Sequence, residues 1–396
     1  MGRELRDVIV VGGGPAGAAT AALLARDGFD VLLLDRVRFP RDKPCGEFLT
    51  PETERVLRDL GAWQAVLVAG VSPIRSVVLR SPSGREAAYT PSDGVAGWSI
   101  LRRDLDAVLL DHARISGVEV REGAQVRGLL REGNQCIGVQ VNGDEVTARL
   151  VIGADGTHSV VARQLGLVRP LPRLQRLAIV THWRGLQNEP VVELRANGRT
   201  ICGIGSLGNG LSNLTIVVPT SDANNIAGRP AEFVRERIAA AFPDLRKRIA
   251  SSILEPNVHT IGCFGHHCRQ AHAHGALLVG DAATFIDPFT GEGVYLASRG
   301  AELAGRVSSE ALRVGDVSAD RLSSYESLRA ELRSRYWLCS LVQAVVRNGR
   351  LMDRAVAAMN AKPQVAERLM AALGDRRPAR EAMTLRTAWE LFGAAA

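Results

Sequence analysis

The chain has 396 residues, 46% of them hydrophobic and 23% charged, with a formal net charge of +7. That length buries a large core and predicts two domains of ordinary globular composition. The basic residues form no polybasic tract and no apolar run is long enough to span a bilayer, so nothing points to nucleic acid or to a transmembrane segment.

In chain order, Val8–Val11 predicts a buried parallel strand. Gly12, Gly14 and Gly17 follow as G-x-G-x-x-G, with Pro15 and Ala16 inside the motif, then a small-residue helix over Ala18–Ala25. A second strand, Val31–Leu34, ends at Asp35 and Arg36. This is the fingerprint of a dinucleotide site. The first glycine allows a tight turn, the second close approach of a pyrophosphate and the third close helix–strand packing, while the acid takes a ribose diol. Leu101–His112 predicts a helix capped by Asp104. Strand-like segments follow at Val118–Val120, Gln125–Leu130, Cys136–Val141 and Glu145–Ala148. Strand Leu150–Ile152 then runs into Gly153, Asp155 and Gly156, and strand Leu277–Val279 into Gly280 and Asp281, with a helix from about Gly291. Three strand-to-glycine-acid junctions predict convergence at the carboxyl ends of one sheet, where open α/β folds bind ligands. Between them, Ser72–Gly97 and Pro170–Gly275 alternate in β fashion, and from Ser318 onward the pattern is helical.

Three elements carry a resemblance: Gly12–Gly17 with Asp35, Gly153–Gly156 with Ser159 and Arg163, and Gly280–Ala283 with Asp287–Gly293. Together they resemble the FAD-binding signatures of the superfamily of flavoprotein hydroxylases (monooxygenases), geranylgeranyl reductases and flavin halogenases. Pro40–Gly46, PRDKPCG, is most similar to the reductases. The resemblance implies an α/β fold: a Rossmann-type, glutathione-reductase-like FAD-binding domain (1–71, 98–169 and 276–317) interleaved with a β-sheet substrate domain (72–97 and 170–275), then a helical C-terminal region (318–396). It implies FAD as cofactor and NAD(P)H as a transient reductant. It also implies that Gly12, Gly14, Pro15, Ala16 and Gly17 hold the pyrophosphate, and that Asp35 and Arg36 stand at the adenosine ribose. Arg102 would meet the pyrophosphate or ribityl chain, Asp155 would support the cofactor, and Gly280 and Asp281 would meet the ribityl hydroxyls. Pro288, Gly291 and Gly293 would lie against the isoalloxazine ring. Asp155 and Asp281 are equally suited to capping helices.

Cys45 lies in the loop that relatives place beside the flavin, so it is a candidate catalytic residue; a buried small hydrophobe is the other reading. Lys43 and Glu47 beside it are candidate proton handlers or plain solvated charges. A second G-x-G-x-x-G at Gly203, Gly205 and Gly208 lacks a following helix and predicts strands and a turn. The cluster Cys263, His266, His267, Cys268, His272 and His274 matches no metal-ligand spacing and predicts a polar loop, so no metal is expected. The six cysteines lack disulfide spacing and no signal peptide is evident, which predicts a cytoplasmic protein.

Two activities follow from the resemblance. The first is an NAD(P)H- and oxygen-dependent monooxygenase acting on a small apolar or aromatic metabolite through a flavin C4a-hydroperoxide. The second is geranylgeranyl-reductase-like reduction of isoprenoid double bonds, although the aromatic-x-Trp-x-Phe-Pro motif of those reductases is missing from Gly198–Gly210. The halogenase Trp-x-Trp-x-Ile-Pro motif is missing too. A non-catalytic FAD-binding sensor or carrier is the alternative of another class. The helical tail is compatible with packing on the body or with peripheral membrane contact.

Overall fold

The computed structural model describes residues 4–393 except Asp287, and only the backbone of residues 4, 173, 263, 264 and 288. An eight-stranded sheet forms the first layer. Its spine runs His272–Ala273, Ala276–Leu278, Asp144–Gly153, Glu4–Val11, Val31–Asp35 and Glu119–Glu122. The four central strands pair in parallel, with Val8 opposite both Leu150 and Val31, and Val151 opposite Ala276. Their inner segments Val8–Val11, Val31–Leu34, Leu150–Ile152 and Ala276–Leu278 are buried and read as unbroken apolar runs. Helices Pro15–Arg26 and Gly293–Val314 pack together on this sheet, where Gly305 lets Leu23 come within 3.4 Å of the position a Cβ would take. The strands leading to all three glycine-acid junctions are therefore neighbours, as the sequence predicts.

The second layer is a seven-stranded sheet in the order Ile253–Phe264, Arg176–Arg184, Leu211–Pro219, Thr200–Gly208, Val191–Asn197, Ser76–Arg80 and Glu86–Tyr89. Strand alternation splits its side chains between two cores. Cys202, Ile204, Leu214 and Ile216 face helix Pro230–Ala241 through Phe233, Val234 and Ile238. Ile201 and Val217 face the opposite way, toward Met352, Val356, Met359 and Met370 of the C-terminal helices. Those helices are Ala330–Val346, Gly349–Ala361, Pro363–Leu373 and Leu385–Phe392.

Two local expectations change. The helix after Ile100 spans Arg102–Ile115 with Leu101 at its N-cap, so Asp104 sits in the first turn and complements the helix dipole instead of capping. The Cys/His stretch is not a loop. Its backbone continues strand Ile253–Phe264 and then forms short strands His266–Cys268 and His272–Ala273, because each finds an edge to pair with. Among the described residues no three His, Cys, Asp or Glu side chains are grouped to hold a metal ion. Gly203, Gly205 and Gly208 lie in strand Thr200–Gly208, and Leu211–Pro219 returns antiparallel to it, in accord with the strand-and-turn reading.

Candidate functional site: a glycine-lined cleft opening into an apolar cavity

The first turn closes because Gly12 adopts φ +105° against the neighbouring strand, where a Cβ would stand 2.4 Å from the Ala154 carbonyl oxygen. At Gly17 a Cβ would be 1.8 Å from the Gly12 oxygen. Gly14 differs: its φ is −73°, and a Cβ would meet no protein atom closer than the Arg41 Nη2 at 3.7 Å. The space it would fill is the cleft, which Gly14, Pro15 and Ala16 line. Asp35, buried at the end of the second strand, accepts hydrogen bonds from the Gly13 amide at 2.7 Å and the Val37 amide at 2.9 Å, while Arg36 points to solvent.

The second junction brings Asp155 to the N-terminus of helix Val160–Gln164, where it accepts from Ser159 Oγ at 2.5 Å and the Val160 amide at 2.6 Å. Burial holds its carboxyl above the ordinary range, with these hydrogen bonds acting the other way. The structure thus gives Asp155 a capping role. At the third junction Gly280 adopts φ +61°, with Ala16 within 2.9 Å of its would-be Cβ. Asp281 faces Lys43, Nζ to Oδ2 at 3.7 Å, across Gly156. Pro288 opens the short turn Pro288–Thr290; its side chain, like all of Asp287, lies outside the described residues. Gly291 takes φ +74° against the Phe48 ring, and helix Gly293–Val314 begins with Gly293 exposed at the cleft. The helix starts two residues later than expected because Glu292 takes the N-cap position.

Arg102 is buried and forks onto Asp106, with both contacts at 2.9 Å. Burial disfavours its charge, but Asp106 and a hydrogen-bonded Cys45 outweigh that and hold its pKa above the ordinary value. Arg102 also lines the cleft, and the cation beside Gly14 is Arg41, itself 3.3 Å from Asp106. Cys45 lines the cleft, and its sulfur accepts the Glu47 amide at 3.3 Å. Glu47, at φ +57° and buried, is held by His182 at 2.7 Å, by Asn213 Nδ2 at 2.9 Å and by the Arg102 amide at 3.1 Å. Burial lowers the His182 pKa, but Glu47 more than offsets it and the net shift is upward.

A second buried cluster closes the other side. Arg335 bridges Glu292, at 3.4 Å, and Asp375, and also donates to the Ala372 carbonyl at 2.9 Å. Burial, and for Asp375 the neighbouring Glu292 charge, push both carboxyls upward in pKa, while the Arg335 guanidinium acts the other way.

Gly46, Phe48, Thr215, Thr290 and Gly291 line both this cleft and a cavity of about 590 Å3 between the seven-stranded sheet and the C-terminal helices. Its walls are mainly apolar: aliphatic Val77, Val192, Leu194, Met352 and Leu369 stand beside the aromatic Tyr89 and Phe289, with Arg376 among the few polar residues. Gly203 and Gly205 stand on its floor two residues apart, so both turn the side a larger residue would fill toward the cavity. Their spacing enlarges a pocket and does not cradle a phosphate.

A sequence profile of the FAD binding domain family matches residues 6–336. The chain belongs to this family. It is similar to digeranylgeranylglycerophospholipid reductase of Methanosarcina mazei, 29% identical over 334 residues that cover 81% of this chain and 79% of the relative. It is also similar to menaquinone reductase of Mycobacterium tuberculosis, 31% identical over 338 residues, covering 79% and 78%. Among solved structures, the flavin-dependent brominase Bmp2 superposes with a TM-score of 0.83 at 20% identity over 93% of each chain. A geranylgeranyl bacteriochlorophyll reductase-like protein from Thermoplasma acidophilum superposes with 0.76 at 21% identity, over 96% and 99%. The chain is thus an FAD-dependent oxidoreductase with the fold shared by flavin halogenases and these reductases. The cleft fits that cofactor: the glycine turn is sterically complete at Gly12 and Gly17 and open only at Gly14, with a helix N-terminus and two cations facing it.

Proposed function

We propose that the protein hydrogenates carbon–carbon double bonds of a long isoprenoid chain. The observation that carries this reading is the predominantly apolar cavity that shares the wall Gly46, Phe48, Thr215, Thr290 and Gly291 with the FAD cleft. It holds a flexible apolar chain by burial alone, at roughly 25 cal/mol for each Å2 removed from water. The reductase relatives support the same reading. FAD, reduced at the expense of NAD(P)H, supplies the hydride.

The chain's own residues do the rest. Gly12–Gly17, Arg41, Lys43, Asp281 and the amides at Gly291 and Gly293 bind and orient the cofactor. The cavity walls exclude water and lay the alkene across the opening at Phe48, Thr215 and Gly291. Hydride addition to one alkene carbon requires a proton at the other, and the Cys45 Sγ–H, on the cleft wall next to the shared Gly46, would deliver it. The Arg102 guanidinium, hydrogen-bonded to Cys45, offsets the negative charge left on sulfur. Glu47, fixed by His182 and Asn213, positions the loop that carries Cys45. The oxygen-dependent hydroxylation expected from the wider superfamily would use the same cleft, but the reductase relatives favour reduction. The test is a single turnover without oxygen. Reduced holoenzyme mixed with a polyprenyl lipid should return to the oxidised spectrum and yield the hydrogenated lipid, and Cys45→Ala should slow the step at least about a hundredfold. Absence of hydrogenated product would remove the reading.

A further inference from the structure

The mouth of the apolar cavity is rimmed by two tryptophan–leucine pairs. On helix Ala330–Val346, Trp337 and Leu341 lie one turn apart, 69% and 51% exposed. On helix Leu385–Phe392, Leu385 and Trp389 repeat the spacing, 91% and 70% exposed. Leu341 and Leu385 also line the cavity. A side chain that both lines a cavity and is exposed stands at its opening, so the two helices form its lips and the tryptophans flank them. They are the two exposed tryptophans among the described residues. The same region is basic: residues 330–396 hold eleven Lys and Arg against six Asp and Glu, a net +5 of the chain's +7. Arg350, Arg354, Arg380 and Arg386 are exposed, Arg386 with Glu390 as its partner.

We infer that this rim is a docking surface for an anionic lipid bilayer. Tryptophan suits the headgroup level because its ring is apolar and its N–H polar, and leucines at the lips reach the acyl boundary. Each arginine near an anionic surface adds electrostatic attraction within a Debye length. Among the described residues no helix is long and apolar enough to cross a membrane, so the contact we infer is a peripheral one. A second copy of the chain fits less well. Two tryptophans at about 150–250 Å2 each, with two leucines, fall short of the roughly 800 Å2 per partner of a stable interface. The docking surface rests on the rim alone; that an isoprenoid tail slides from the bilayer through these lips rests on the proposed function.

The experiment uses full-length, FAD-loaded protein with vesicles of phosphatidylcholine, alone or mixed with phosphatidylglycerol, followed by co-sedimentation and tryptophan emission. The expected result is binding to the mixed vesicles with a blue shift, weakened several-fold by added salt. The double substitution Trp337→Ser/Trp389→Ser should weaken binding at least about tenfold with an unchanged Tm. Protein that stays in the supernatant with both vesicles overturns the inference, as does a double variant that binds like the parent. A concentration-dependent dimer that the double variant abolishes would assign the rim to a second copy and overturn it too. Vesicle binding without lipid hydrogenation would leave the surface standing and remove the proposed chemistry; hydrogenation of detergent-dispersed lipid without vesicle binding would do the reverse.

Discussion

Gly14→Ala separates cofactor binding from folding, because this position is open only toward the cleft. Its φ of −73° suits alanine, and the new Cβ would lie 3.7 Å from its nearest protein neighbour. Reduced freedom of the unfolded chain should then raise apoprotein stability by about 0.4–1 kcal/mol. The pyrophosphate, however, can no longer reach the amides at the start of helix Pro15–Arg26. Losing two hydrogen bonds to a charged group, at about 1.5–3 kcal/mol each, weakens FAD binding by at least about 3 kcal/mol, roughly a hundredfold. Gly17→Ala is the contrasting change. Its Cβ would lie 1.8 Å from the Gly12 oxygen, and a tolerable contact of 3.0 Å requires the helix to move by the difference, 1.2 Å. That shift strips packing from Ala18, Ala21, Ala22 and Leu24, all fully buried, so stability should fall by about 3 kcal/mol or more together with affinity. The assay is FAD titration of the apoprotein by fluorescence quenching, beside urea unfolding of the same samples. Gly14→Ala that binds FAD within twofold of the parent, or that melts as badly as Gly17→Ala, would refute the reasoning.

Other consequences are as specific. Asp106→Ala strands the buried Arg102 guanidinium and should cost about 3–5 kcal/mol in urea unfolding. His182 has a native pKa raised by Glu47, so its contribution is full below the unfolded value near 6.5 and is lost as pH rises through the native one; stability should decline over that window, and His182→Gln should flatten the decline. Asp375 and Glu292 are carboxyls raised by burial, so they too stabilise at low pH and lose that contribution as pH rises through their native values. Asp375→Asn, which mimics the protonated acid, should therefore be neutral or stabilising at alkaline pH, whereas Arg335→Leu should destabilise by about 3–5 kcal/mol in thermal and urea unfolding. Gly203→Leu should fill the cavity floor and abolish turnover of long-chain lipid while FAD titration is unchanged.

What was legible in the sequence is what is encoded locally. Gly12, Gly14, Gly17 and Asp35 declare their turn because backbone clearance and strand ends are short-range properties, and the three glycine-acid junctions foretell their own convergence. The Arg102–Asp106 pair, four residues apart on one helix, was also within reach of helical spacing. The remaining groups come from distant segments. Glu47 and His182 are 135 positions apart, and Arg335 meets Glu292 across 43 and the Asp375 carbonyl across 40. No periodicity marks such partners, since only the completed packing of sheet and tail brings them together. Arg41 went unread for a similar reason: one arginine in a loop carries no signal until its aspartate is placed beside it. The Cys/His segment shows the converse, a polar composition overridden by available strand edges.

The most direct measurement incubates reduced holoenzyme with a polyprenyl lipid, in parallel without oxygen and under isotopically labelled oxygen, and weighs the product by mass spectrometry. The account predicts a product that gains two hydrogens per reduced double bond in the oxygen-free sample and carries no label in the other. A product that appears only with oxygen and carries the label would contradict it.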